Sequence, residues 1–178
     1  GYAKDQPVFR ERYMDHTAKL RTRKDAIEAM QAGEKEMGKQ NFIQAERFFK
    51  TALDRASNDY AGLCLMAKCK LARNRARDAL SYAEKAVRVY PTEAQARHLA
   101  GYSKIKLKRY GEAYEDFITY EKLLPGNPNT VFFMGLSLEG MGRVESSANQ
   151  YYRYLQSVKE GPLAKHAHQR LVQWGYIR

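Results

Sequence analysis

The sequence predicts an all-α solenoid of four helical hairpins with a C-terminal capping helix. Two observations favour this fold. Residues of matching size recur every 34 positions, and the last residues carry an apolar stripe with the spacing of a helix. Six sets of positions agree on the 34-residue period, which is more agreement than chance usually produces. The small-residue sets are Ala45, Ala79, Ala113 and Ser147, and Gly33, Ala67, Gly101 and Gly135.

Each repeat is predicted to contain a first helix, a short turn and a second helix, here called helix A and helix B. Small residues in both helices let the two backbones approach closely, and large residues fill the gaps between them. Pro91 and Pro125 end helix B in two repeats, because proline cannot continue a helix. The predicted repeats are 26–59, 60–93, 94–127 and 128–161.

The recurring residues resemble the tetratricopeptide repeat (TPR) family. The family's spacing of alanine, three residues and phenylalanine occurs at Ala45–Phe49 and Ala113–Phe117. Gly101 and Gly135 stand at the family's Leu-Gly site, whereas its leading tryptophan is absent. The resemblance covers residues 26–161 and implies a scaffold that binds another protein or a peptide and is not an enzyme.

Two segments flank the repeats. Residues 1–25 fall outside the register and are predicted to be a lead-in helix or a linker. Residues 162–178 are predicted to be the capping helix that repeat arrays need for solubility. Its apolar stripe consists of Leu163, Ala167, Leu171 and Trp174.

Composition restricts the class of protein and of partner. The chain has 178 residues, a formal net charge of +11 and a pI near 9.6, a balance that favours acidic partners. No apolar run approaches the ~18 residues needed to span a bilayer. The sequence therefore predicts a soluble protein and leaves the cytoplasm and the periplasm as alternatives.

No set of residues has the pattern of a catalytic, metal or cofactor site. The chain contains neither an HExxH motif nor a phosphate-binding loop, and the four histidines are expected on the solvated surface. Cys64 and Cys69, if on one helix, have Cα atoms roughly 8–9 Å apart. That distance is too long for a disulfide, so we expect two buried thiols. The histidines are His16, His98, His166 and His168.

The TPR resemblance implies that helix A of each repeat lines a groove for a partner with apolar anchors. The predicted groove residues are Leu65, Lys68, Leu99, Tyr102, Ile105, Phe132, Phe133 and Leu136. The strongest candidates are Tyr102, Phe132 and Leu136. Those that also suit packing against the next repeat are Leu65, Leu99 and Phe133. The clamp with which some TPR domains hold a chaperone C-terminus is not expected, because its positions here carry no Lys, Asn or Arg.

Basic residues cluster near the predicted turns between helices A and B. They form a predicted basic edge of Arg73, Arg75, Arg77, Lys106, Lys108, Arg109 and Arg143. The edge is interpreted either as a solvated surface or as a contact for an acidic partner or anionic lipid. Nucleic acid is less favoured because no nucleic-acid-binding motif accompanies the charge.

Two further alternatives stay open from the sequence. The chain also resembles the repeat regions that follow bacterial zinc metalloprotease domains, which implies a non-catalytic part of a larger enzyme. In addition, the terminal repeats of such an array can pair with a second copy, so a homodimer is an alternative to a monomer.

Overall fold

The computed structural model describes residues 24–178, and every regular element within them is an α-helix. The predicted all-α fold of consecutive hairpins is confirmed. The helices are α1 (Lys24–Gly38), α2 (Phe42–Arg55), α3 (Tyr60–Ala72), α4 (Ala76–Val89), α5 (Ala94–Lys106), α6 (Tyr110–Leu123), α7 (Pro128–Gly140), α8 (Val144–Ser157) and α9 (Pro162–Gln173). The predicted lead-in, residues 1–25, lies outside the described residues except for its last two.

The chain divides into two compact units. The first ends at Ser103, and the second spans Lys104–Arg178. In the first unit α1 pairs with α2, α2 packs on α3, and α3 pairs with α4. In the second unit α7 packs on both α6 and α8, and α9 packs on α8.

Every described turn between a helix A and its helix B has the same backbone conformation. The second residue after helix A has a positive φ of 58–74°. Its N–H donates to the carbonyl three residues earlier, and the next N–H donates to the carbonyl five residues before it, at 2.8–2.9 Å. This pattern is a Schellman motif, which satisfies the last carbonyls of the helix and reverses the chain. The positive-φ residues are Gln40, Asn74, Lys108 and Gly142.

Close packing of helix A on helix B explains the small residues of the 34-residue register. In the first unit, a Cβ atom added to Gly33 would lie 2.4 Å from the Phe49 ring. In the second unit, a Cβ atom added to Gly135 would lie 2.8 Å from the Tyr151 ring. Ser147 is the one residue of its repeat set that is not alanine. Its hydroxyl donates a hydrogen bond to the Gly135 carbonyl at 2.7 Å.

Replacing Gly33 by alanine is expected to lower the free energy of unfolding of the first unit by about 1–2 kcal/mol. The Phe49 ring is fully buried, so it has no empty space into which it can move away from the new methyl group. Gly38→Ala is the matched control, because a Cβ atom there meets nothing within 4 Å. Urea titration measures both variants, and equal stability of the two would contradict close packing at Gly33.

Candidate functional site

The predicted groove residues of the first unit differ in exposure. Leu65 is 4% exposed and belongs to the apolar cluster around Phe49. Leu99 on α5 is completely buried. Lys68 and Tyr102, each next to the small residue of its repeat, are half-buried. These two therefore keep side-chain surface that a partner can contact.

In the second unit the two phenylalanines of the predicted groove lie in the core. Phe132 is 2% exposed, with ring centroids of Tyr151 and Tyr154 at 5.5 and 5.4 Å. Phe133 is 7% exposed and stacks on Phe117 at 5.4 Å. The half-buried predicted groove residues of this unit are Ile105 and Leu136.

His98 is buried, which corrects the expectation of a solvated histidine. It lies on α5, among whose buried residues are also Ala94, Ala96 and Leu99, and it is 9% exposed. Burial, reinforced by the positive charge of Lys68, lowers the pKa of His98 to about 4. The imidazole is therefore neutral at pH 7 and belongs to the interior of the first unit. His16 lies outside the described residues, whereas His168 is exposed.

Acid is expected to destabilise the first unit through His98. A histidine whose pKa is lower in the folded chain takes up a proton more readily in the unfolded chain. Stability should therefore fall as pH drops from about 6.5 toward 4, by about 2 kcal/mol between pH 7 and 5. In urea titrations at several pH values, His98→Leu should remove this dependence of stability on pH, and His168→Leu should leave it intact. A pH dependence that persists in His98→Leu would contradict the assignment.

Sequence reasoning missed a polar cluster that joins α7, α8 and α9. The Glu139 carboxylate accepts a 2.5 Å hydrogen bond from the Tyr151 hydroxyl and lies 3.2 Å from His166 Nε2. Arg170 Nε is 2.6 Å from the other carboxylate oxygen, and its guanidinium lies over the Trp174 ring. No local motif links these residues, because they stand on three helices plus the residue after α9.

Glu139 is held ionised by this cluster. Burial by itself raises the pKa of the carboxyl, but hydrogen bonds from His166 and Tyr151 and the charge of Arg170 outweigh it. The net effect lowers the pKa of Glu139. In the same contact, burial and the neighbouring carboxylate raise the pKa of Tyr151. The cluster therefore ties helix α9 to α7 and α8.

The predicted basic edge contains both paired and unpaired cations. Arg73 is 2.5 Å from Glu46, and Arg109 contacts Glu112 at 2.6 and 2.8 Å. The other five members are exposed side chains. Four of these five have no ion pair among the described residues: Arg75, Arg77, Lys108 and Arg143. Each unit therefore presents uncompensated positive charge beside its helix turns.

The described residues contain no group of three or more candidate metal ligands. Both thiols are buried and free, and burial raises the pKa of Cys64 to about 12 and that of Cys69 to about 11. Such thiols are poor nucleophiles near pH 7 because the thiolate is the reactive form. No described helix has the length and apolar character needed to cross a bilayer.

Comparison with solved structures shows which fold these hairpins form. Residues 41 to the end of MamA from Desulfovibrio magneticus RS-1 match with a TM-score of 0.77 and 16% identity, over 86% of this chain and 87% of that MamA segment. YrrB, described as a TPR protein with an unusual peptide-binding site, matches with a TM-score of 0.72 and 19% identity, over 81% and 74%. The chain has the tetratricopeptide fold.

A third TPR structure contains a bound peptide. The first TPR of Spaghetti (RPAP3), bound to an HSP90 peptide, matches with a TM-score of 0.65 and 16% identity, over 66% of this chain and 94% of that one. No family model and no curated protein sequence matches the chain. At these identities the likeness establishes the tetratricopeptide fold alone. The resemblance to repeats behind zinc metalloproteases stays a prediction.

Proposed function

We propose that this tetratricopeptide protein is a scaffold that binds a segment of another protein on its A helices. The observation that carries the proposal is the exposure at one repeat position. The residue after the small Gly or Ala of helix A is exposed or half-buried in all four repeats, and in the second, third and fourth repeats the residues on either side of it are buried. These residues are Glu34, Lys68, Tyr102 and Leu136. The HSP90 peptide bound to RPAP3 and the peptide-binding site of YrrB support a binding role of the same kind.

The chemistry of these positions favours a partner with apolar anchors. Tyr102 is a half-buried aromatic residue of the first unit, and Ile105 and Leu136 are half-buried aliphatic residues of the second. Covering half-buried apolar side chains releases water from surface that the fold has already ordered, so little conformational entropy is lost. Lys68 adds a positive charge beside Tyr102's helix, since its charge acts on His98 of α5. An acidic residue of the partner, close to its apolar anchor, would complement the charge of Lys68.

Replacing Tyr102 and Leu136 together by serine is expected to weaken partner binding at least about tenfold, because each unit loses a half-buried apolar side chain that could contact a partner. Affinity capture from the source lysate, with mass spectrometry, measures the loss. Tyr152→Ser/Val172→Ser is the matched control, because those apolar side chains are 55% and 42% exposed elsewhere in the second unit.

A protein captured by the wild type and the control but not by the Tyr102/Leu136 variant would support the proposal. Equal capture by all three proteins would contradict it. Sedimentation of the same variants separates a foreign partner from a second copy, because a homodimer through these helices would dissociate only in the Tyr102/Leu136 variant.

A further inference from the structure

An open pocket of about 640 Å³ lies in the first unit, beside the α1–α2 turn and the end of α3. Its apolar lining comes from Phe42, Ile43 and Ala72, and its charged lining from Arg47 and Arg73. Three side-chain amides complete the described lining, and none of these residues is acidic. The pocket is separate from the A-helix positions of the proposed groove.

Ile43 gives this pocket an exposed apolar contact. It is 59% exposed, the highest value among the large exposed hydrophobic residues of the described chain. It sits in the first turn of α2, next to Phe42, whose carbonyl accepts a hydrogen bond from the Cys69 thiol at 3.0 Å. That bond ties the start of α2 to α3. The isoleucine is therefore held on an ordered wall, where it can anchor an apolar side chain of a partner without loss of backbone entropy.

The charge around the pocket is positive and only partly compensated. Glu46 is the carboxylate partner of both Lys70 and Arg73, so a single negative charge faces two cations. Arg47 is exposed and has no ion pair among the described residues. Glu36, which accepts a hydrogen bond from the lining residue Asn41, is paired with Lys39. With that pair included, four cations and two carboxylates give the surroundings of the pocket a formal net charge of +2. Arg75, which immediately precedes α4, is exposed and adds to the positive potential.

We propose that this pocket binds an acidic peptide segment of a partner protein that carries one aliphatic or aromatic residue. The apolar residue contacts Ile43, and carboxylates on either side pair with Arg47 and with Arg73. Arginine suits this role because its planar guanidinium bonds carboxylates in a bidentate manner. Lipid headgroups and nucleic acid supply anions, but neither places an isolated aliphatic side chain between two of them. The apolar contact therefore favours a peptide.

The test uses an array of acidic eight-residue peptides. Each peptide contains one leucine, phenylalanine or serine, and the position of that residue differs from peptide to peptide. Binding of fluorescent peptides is followed by anisotropy at two salt concentrations, since exposed ion pairs weaken as salt rises. Arg47→Glu is expected to weaken the best peptide at least about tenfold, because it removes a charged hydrogen bond and adds repulsion. Ile43→Ser should reduce the preference for leucine over serine at the central position.

Lys50→Glu is the matched control, because it makes the same charge change at another exposed position of α2. It should change affinity less than about threefold. Equal weakening by Lys50→Glu and Arg47→Glu would overturn the proposed peptide site. So would the absence of any peptide with a Kd below about 1 mM. Anionic vesicles or single-stranded DNA that bind with the same Arg47 dependence, more tightly than any peptide, would also overturn it. Tyr102→Ser should leave this binding intact, which separates the pocket from the proposed groove.

Discussion

Replacing Phe132 by alanine is expected to lower the free energy of unfolding of the second unit by about 3–5 kcal/mol. The ring is 2% exposed and is surrounded by aromatic side chains of α7, α8 and α9. Removing it leaves a cavity and ends favourable ring contacts within 5.4–5.7 Å. The partners are Phe133, Tyr151, Tyr154 and His166. Urea-induced unfolding followed by circular dichroism measures the loss.

This prediction distinguishes a core residue from a partner-binding residue at the same position. A groove anchor would change partner affinity and leave stability nearly intact. Tyr152→Ala on α8 is the matched control, since its side chain is 55% exposed and its removal should change stability by less than about 0.5 kcal/mol. A Phe132→Ala protein as stable as that control would contradict the core role of Phe132 and favour its assignment to the groove.

Replacing Glu139 by alanine is expected to lower the free energy of unfolding of the second unit by about 3 kcal/mol. The carboxylate is 18% exposed and has three partners on α8 and α9. Its removal takes the ion-pair partner from Arg170 and the 2.5 Å hydrogen bond from the Tyr151 hydroxyl. Because two of those partners lie on α9, the capping helix should lose protection first, which amide hydrogen exchange measures residue by residue.

The same contact should contribute to acid sensitivity. The pKa of Glu139 is lower in the folded protein than in the unfolded chain, so its contribution to stability is complete above about pH 4.5 and is lost as pH falls through the folded value. The stability difference between wild type and Glu139→Gln should therefore shrink below about pH 4.5. The exposed Glu145→Gln provides the control. A difference between wild type and Glu139→Gln that is constant from pH 7 to 3 would contradict the role of the ionised carboxylate.

The repeat period predicted the hairpins because it reflects contacts between neighbours in the chain. Gly33 and Phe49 belong to the two helices of one hairpin, and the small residue must accompany the large one wherever those helices touch. The same constraint applies in each repeat, so it appears at a fixed spacing. The turns follow for a similar reason, since a Schellman motif is built from consecutive residues.

Choosing the exposed face of a helix required the tertiary structure. The count of positions along helix A placed Phe132 and Phe133 in the groove, but α7 packs on both α6 and α8 and buries them. A helix covered on two sides is apolar nearly all round, so its sequence does not show which side is free. Lys68, Tyr102 and Leu136 keep their surface because the packing of the neighbouring helices leaves it uncovered.

The sequence by itself determined the helical hairpins, their period and the net positive charge, because these depend on local spacing and composition. Only the tertiary structure decided which residues meet across helices. Glu139, Tyr151 and Arg170 form one cluster, and Arg73 lines one pocket with Ile43 and Arg47 of α2, although no spacing in the sequence relates Glu139 to its partners or Arg73 to α2. Contacts of this kind depend on the crossing of packed helices, and that crossing is set by side-chain packing over the whole unit.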